Sequence, residues 1–212
     1  MKYRTIREKL YETVMMALKA GLIRLSAGNI SVRTEDGLVA ITPSGIKYDE
    51  LQLKDLTIID LDGKIMDGIK KPSSETPMHT TILKSLPHVG AVCHTHSSFA
   101  MTFAAAGMEI PIISLELFVC GAPIPVAPWA CPGTLQAGEI TVDIFKQSPA
   151  LRVCLLRNHG LIAIGTNLEN VFELAYNAEV GMQTYYQAIQ LGKPGLITDE
   201  QQEEIRLVYI NC

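Results

Sequence analysis

The chain has 212 residues, enough for one substantial buried core, and its 18 Lys and Arg against 22 Asp and Glu leave a net charge of −4. With 48% hydrophobic and 19% charged residues it reads as a folded globular chain rather than a disordered one. No Lys/Arg cluster marks a nucleic-acid or anionic-membrane surface, and no apolar run approaches the roughly 20 residues of a membrane span. The charged N-terminus from Met1 to Glu8 is not a secretory signal. Five cysteines without a CxxC pair argue against a disulfide framework and a thiolate zinc site, so Cys93 and Cys154 read as small buried hydrophobes. The expectation is one domain over residues 1–212 in a reducing, cytoplasmic compartment, with no nucleic-acid and no membrane partner.

Ile6, Leu10, Val14, Ala17 and Leu18 recur at helical spacing over residues 4–20, and Gly21 suits the stop. Asn29–Arg33 and Leu38–Thr42 flank Glu35-Asp36-Gly37 and predict a hairpin. Thr57–Leu61 reads as a strand closed at Asp62-Gly63, and Pro77 opens a short helix over 77–86. The apolar run 89–92 leads into Cys93-His94-Thr95-His96, then into a small-residue helix from Ser97 to Ala106. Residues 110–133 are rich in proline and glycine, with a strand at Ile124–Ala127. A helix from Thr134 to Lys146 precedes a strand through His159 to Gly165, and a long helix covers 168–192 before a polar, short-helical tail. Strands and helices mix without strict βα alternation. The fold class is therefore α/β of the α+β type, with three layers and a central, mainly antiparallel sheet flanked by helices.

On a strand, His94 and His96 project from one face, about 6–7 Å apart along the chain, and can share a metal ion. His159 follows a similar apolar run, and three histidines with an open fourth position are the ligand set of a catalytic zinc. Ser26-Ala27-Gly28-Asn29, Thr42-Pro43-Ser44-Gly45 and Pro72-Ser73-Ser74-Glu75 each combine turn backbone N–H groups with small polar side chains. Such segments hold an oxyanion without a lysine, and they are also what ordinary turns and caps look like. Glu75 reads equally as a first-turn residue complementing a helix dipole or as a proton carrier beside a metal. His79 reads as structural or as support behind the site, and His88 beside Pro87 as an exposed turn residue. Lys47 and Lys54 read as solvated charges.

These motifs, with His-Thr-His-Ser and Asn-His-Gly, stand in the order and spacing of the class II aldolase/epimerase family, which the chain resembles over nearly its whole length. The resemblance implies one Zn2+ per subunit held by His94, His96 and His159, with Glu75 as acid/base that also touches the metal at rest. It assigns Gly28, Asn29, Ser44, Gly45, Ser73 and Ser74 to the substrate phosphate and nearby hydroxyls. It implies a zinc-dependent aldolase, a carbon–carbon lyase. Its substrate would be a small ketose 1-phosphate, L-fuculose 1-phosphate or a related deoxy-ketose 1-phosphate, cleaved to dihydroxyacetone phosphate and an aldehyde through a metal-stabilised enediolate. The implied partner is a small phosphorylated sugar, and the implied assembly a homotetramer with interfacial active sites.

Other branches stay open at this stage. The L-ribulose-5-phosphate 4-epimerase pattern has Asp at position 75 and a histidine near residues 113–119; this chain has Glu75, and Glu116 without a histidine. The fuculose-phosphate aldolases have a tyrosine in that region, which is missing here, and a tail tyrosine that Tyr209 matches. Glu116 and Tyr209 thus stand as possible site residues. A methylthioribulose-1-phosphate dehydratase differs before the catalytic glutamate, and a non-catalytic adducin-like head need not keep the histidines that this chain has.

Overall fold

The computed structural model describes residues 2–121 and 123–209, without the side chain of Tyr209. Helix α1 (Arg4–Lys19) turns Leu10, Val14 and Ala17 inward at the spacing read from the sequence. Gly21, at φ +72°, ends it: its N–H donates to Leu18 and that of Leu22 to Ala17, a reversal cheap only for glycine. β1 (Asn29–Arg33) and β2 (Val39–Ile41) form the expected hairpin, tied at its turn by Thr34 N–H to the Leu38 carbonyl.

β3 (Thr57–Ile59) ends two residues before the anticipated Leu61, and the Asp62-Gly63 turn leads into an unforeseen edge strand, β4 (Ile65–Asp67). Its three residues are largely exposed, so no hydrophobic alternation announces it. Helix α2 (Thr76–Ser85) starts one residue before Pro77, which takes the second helical position where its missing N–H costs nothing. β5 (Ala91–Thr95) and α3 (Ser98–Ala106) follow as expected, and Gly107 at φ +68° stops the helix. The Pro/Gly-rich stretch holds a short helix that the sequence did not announce, α4 (Leu115–Val119), before β6 (Val126–Ala127). α5 (Leu135–Gln147) is capped by the Thr134 hydroxyl, which accepts from the Ala137 N–H.

One expectation needs correcting. The single strand expected through His159 is two strands, β7 (Val153–Leu156) and β8 (Gly160–Gly165), joined by a turn with Asn158 at φ +56°. His159 therefore stands on a hairpin tip rather than within a strand. Asparagine tolerates that left-handed backbone because its short polar side chain bonds locally. α6 (Leu168–Leu191) and α7 (Asp199–Tyr209) complete the chain.

Among the described residues, eight strands run in the order β4-β3-β2-β1-β5-β8-β7-β6, antiparallel throughout except for β6 with β7. On one face, Ile30, Cys93, Leu161 and Ala163 pack under α1, α3, α4 and α6. On the other, Val92, Ile162 and Ile164 meet Met78, Ile82 and Leu83 of α2 and Val142 and Phe145 of α5. The three layers anticipated from the sequence are present. Among the described residues, no helix is long and apolar enough to cross a membrane.

Candidate active site

Strand alternation places the first two histidines. Val92 points to the α2/α5 face, so His94 does too, and His96, just past the strand end, follows it. The β7–β8 tip then delivers His159. The three rings sit 4.6–5.0 Å apart by centroid, and one nitrogen from each lies within 4.8 Å of the others. Gly160 makes this approach possible, because a Cβ there would lie 2.2 Å from the Thr95 carbonyl oxygen and 3.2 Å from His94 Cε1. The Asn-His-Gly motif holds that signal, but the sequence reading assigned no role to its glycine.

Glu75 occupies the N-cap of α2, yet its carboxylate does not cap. It turns instead to the imidazoles, with Oε2 3.0 Å from His94 Nε2 and Oε1 3.3 Å from His159 Nε2. That geometry decides against the helix-dipole reading. Burial pushes the carboxyl up, but the hydrogen bond with His159 and the neighbouring imidazoles His94, His159 and His79 outweigh it and hold it at about 2. Burial drives His94 down to about 3 and lowers His96 as well, so these two rings are neutral at pH 7.

The site's polar atoms fit a cation. Nδ1 of His94 is 2.9 Å from the Leu161 carbonyl, which fixes the proton there and leaves Nε2 with a bare lone pair. That lone pair faces Glu75 Oε2 at 3.0 Å and His96 Nε2 at 2.8 Å. Glu75 Oε2 is buried and has no hydrogen-bond partner among the described residues. Buried acceptors aimed at one another are costly unless a positive ion sits among them. Three imidazoles and one carboxylate are a donor set for a divalent cation such as zinc.

The three small-residue turns converge beside this cluster. Asn29 is directly opposite His94 in the β1–β5 register, and Pro43 and Pro72 pair as an isolated bridge. Within that bridge the Ser44 N–H donates to Lys71 and the Ser73 N–H to Thr42, so these two serines offer hydroxyls rather than backbone donors. The Ser73 hydroxyl also accepts from the Glu75 N–H at 3.2 Å, linking the turn to the carboxylate. Gly28, at φ +85°, is packed so closely that a Cβ would lie 2.6 Å from Ile23 and 2.9 Å from the His94 carbonyl oxygen. Gly45 is at φ +74° with open space where a side chain would be, and Ser74 is exposed.

Tyr48 was not singled out from the sequence, yet its buried hydroxyl donates to the Gly28 carbonyl at 2.5 Å and holds the loop from behind. A lone tyrosine after a turn motif carries no such signal. Glu116 is not brought to the imidazoles: α4 packs on α6 across the sheet, where Leu117 lies against Gly181. Tyr209 ends α7, and its side chain lies outside the described residues. Lys54 is exposed, and the exposed Lys47 pairs with Glu50 at 3.4 Å, so neither enters the site. Cys93, Cys120 and Cys154 are buried free thiols pushed up by burial, as expected of structural cysteines, and Cys212 lies outside the described residues.

The model of the family described as class II aldolase and adducin N-terminal domain matches residues 8–186. A 5-deoxy-D-ribulose 1-phosphate aldolase of Bacillus thuringiensis serovar kurstaki is 36% identical over 200 residues, covering 94% of this chain and 92% of that protein. L-fuculose phosphate aldolase of Escherichia coli (strain K12) is 34% identical, over 95% of this chain and 92% of the relative. A solved structure of an L-fuculose 1-phosphate aldolase superposes with a TM-score of 0.91 at 27% identity, covering 99% of this chain and 98% of that one. The order of motifs, the sheet and the imidazole cluster agree with these likenesses: the chain belongs to the class II aldolase and adducin N-terminal domain family.

Proposed function

We propose that this chain is a metal-dependent aldolase that holds one zinc ion on His94, His96 and His159, with Glu75 at the remaining side. Its substrate is a small ketose 1-phosphate of the 5-deoxypentulose or L-fuculose type, cleaved to dihydroxyacetone phosphate and an aldehyde. The observation that carries this is the buried Glu75 carboxylate set among three gathered imidazoles, beside turns lined with anion donors. Relatives named for 5-deoxyribulose 1-phosphate and fuculose phosphate support the substrate class.

When bound, the cation supplies a Lewis acid for the negative charge left as C3–C4 breaks. The protein's own groups do the rest. The Asn29 amide, the Ser44 and Ser73 hydroxyls and the turns at Gly28, Gly45 and Ser74 hold the phosphate and so fix the sugar's C1 end. In the synthetic direction Glu75 takes a proton from the carbinol carbon of dihydroxyacetone phosphate, and in cleavage it returns that proton to the same carbon. The assembly this reading carries is a homotetramer with interfacial active sites, in which a neighbouring chain completes the aldehyde side and Glu116 and Tyr209 stand as the candidates for that part.

Purified protein should carry about one zinc per chain, and His94→Ala should lose both the metal and the activity. Active wild-type protein without metal would overturn the mechanism. A panel of ketose 1-phosphates and ketose 5-phosphates should release dihydroxyacetone phosphate from the 1-phosphates alone. Isomerised pentose 5-phosphate without cleavage would assign a 4-epimerase instead, and loss of water from a 1-phosphate a dehydratase.

A further inference from the structure

His79 is a fully buried imidazole that neither the cation nor the proton transfer uses. It sits one turn after Glu75 on α2, and its Nδ1 lies 2.7 Å from Ser31 Oγ while its Nε2 lies 2.5 Å from Asn29 Oδ1. These contacts have a direction. Ser31 is completely buried, and among the described residues its hydroxyl finds one acceptor, His79 Nδ1. A buried O–H left without an acceptor is costly, so Ser31 donates to Nδ1. The ring's single proton is then on Nε2, and it is donated to Asn29 Oδ1. Burial holds the ring down to about 4, which keeps it neutral and preserves that one direction.

The consequence falls on Asn29. With its oxygen held from behind, the trigonal carboxamide must turn its NH2 away from His79. That NH2 has no acceptor among the described residues and keeps a solvent-reachable surface. Asn29 stands beside His94 in the sheet register, at the rim of the cluster. A carboxamide flipped by 180° would present its oxygen to a phosphate and repel it; the held one presents a donor.

We propose that His79 is a positioning residue that, through the chain Ser31 to His79 to Asn29, fixes the Asn29 carboxamide as a hydrogen-bond donor to the substrate's phosphate. This rests on the assignment of Asn29 to the phosphate made above. It gives a role to a histidine buried on α2 between the apolar Met78, Ile82 and Leu83 and the polar edge of β1.

The test measures dissociation constants for dihydroxyacetone phosphate by calorimetry on zinc-loaded protein, together with KM and kcat. His79→Leu should weaken binding about tenfold and raise KM in step, with kcat changed less than about threefold. His79→Gln, whose amide nitrogen can stand for Nε2, should restore most of the affinity. The double variant with Asn29→Ala should bind no more weakly than Asn29→Ala alone. If Asn29→Ala leaves affinity unchanged, the phosphate assignment falls and this proposal with it. If Asn29→Ala weakens binding but His79→Leu does not, or the two effects add, this proposal alone is overturned. Should His79→Leu fail to fold, Ser31→Ala decides. It frees the ring to change tautomer and should cost about two- to threefold in affinity, and an unchanged value overturns the proposal.

Discussion

The two faces of β1 and β5 carry neighbouring residues with opposite duties. Ile30 and Cys93 point into the apolar cluster beneath α1 and α6, where contact with Leu10, Val14 and Val171 is non-directional. Asn29, Ser31 and His94, one residue away, point to the α2 face and are also buried, Asn29 least, but each is placed by named hydrogen-bond or ion-pair partners. The first face holds the sheet together by area removed from water. The second trades stability for geometry: buried polar atoms there need partners, and Glu75 Oε2, which has no hydrogen-bond partner among the described residues, faces the imidazole cluster.

Substitutions can set the two faces against each other. The largest effect is expected from Gly160→Ala, whose new methyl meets the Thr95 carbonyl at 2.2 Å and pushes the hairpin tip away from His94 and His96. Turnover should fall by about a hundredfold or more as bound metal is lost. Activity near wild type with full metal content would show that the tip has slack. Ile30→Ala should instead cost about 2–5 kcal/mol of unfolding free energy by denaturant titration, with KM unchanged, because its side chain serves the apolar face alone. A changed KM would mean the faces are not independent.

The smallest effect is that of pH on the metal-free protein. His79 titrates at about 4 in the folded chain against an ordinary 6.5, so the unfolded chain binds the proton first. Stability is therefore fully present above pH 6.5 and is lost as pH falls towards 4, with about 2 kcal/mol gone by pH 5. His94 shifts the same way and adds to the loss. Thermal melts between pH 7.5 and 5 check this, and a flat melting temperature would argue that the buried imidazoles are protonated or hydrated.

Much of this was legible in the chain. The hairpin at 29–42, the helix ending at Gly21 and the HxH strand are local patterns, and local patterns show in sequence. The four candidate residues that the structure gathers, Glu75, His94, His96 and His159, stood out because their motifs are short and ordered. What escaped depends on contacts between segments far apart. Strand β4 has no buried face to pattern it, and the turn at Asn158 lies in the short polar stretch 157–160 between two apolar runs that were read as one strand. Tyr48 matters through one hydrogen bond to a loop twenty residues earlier, and the engagement of the Ser44 and Ser73 N–H groups follows from a pairing of two prolines that no spacing rule announces.

The sheet's two outer strands have a consequence for the molecule at high concentration. β4 offers only three residues, ending on Asp67 and followed shortly by Lys70 and Lys71, and β6 offers two, set between Pro125 and Pro128. Prolines have no N–H to give a visiting strand, and a two- or three-residue edge is too short to template one. The ladder of eight strands therefore stops at both ends by its own chemistry. Contacts between copies of this chain are thereby left to side-chain surfaces, because neither edge favours growth of the sheet.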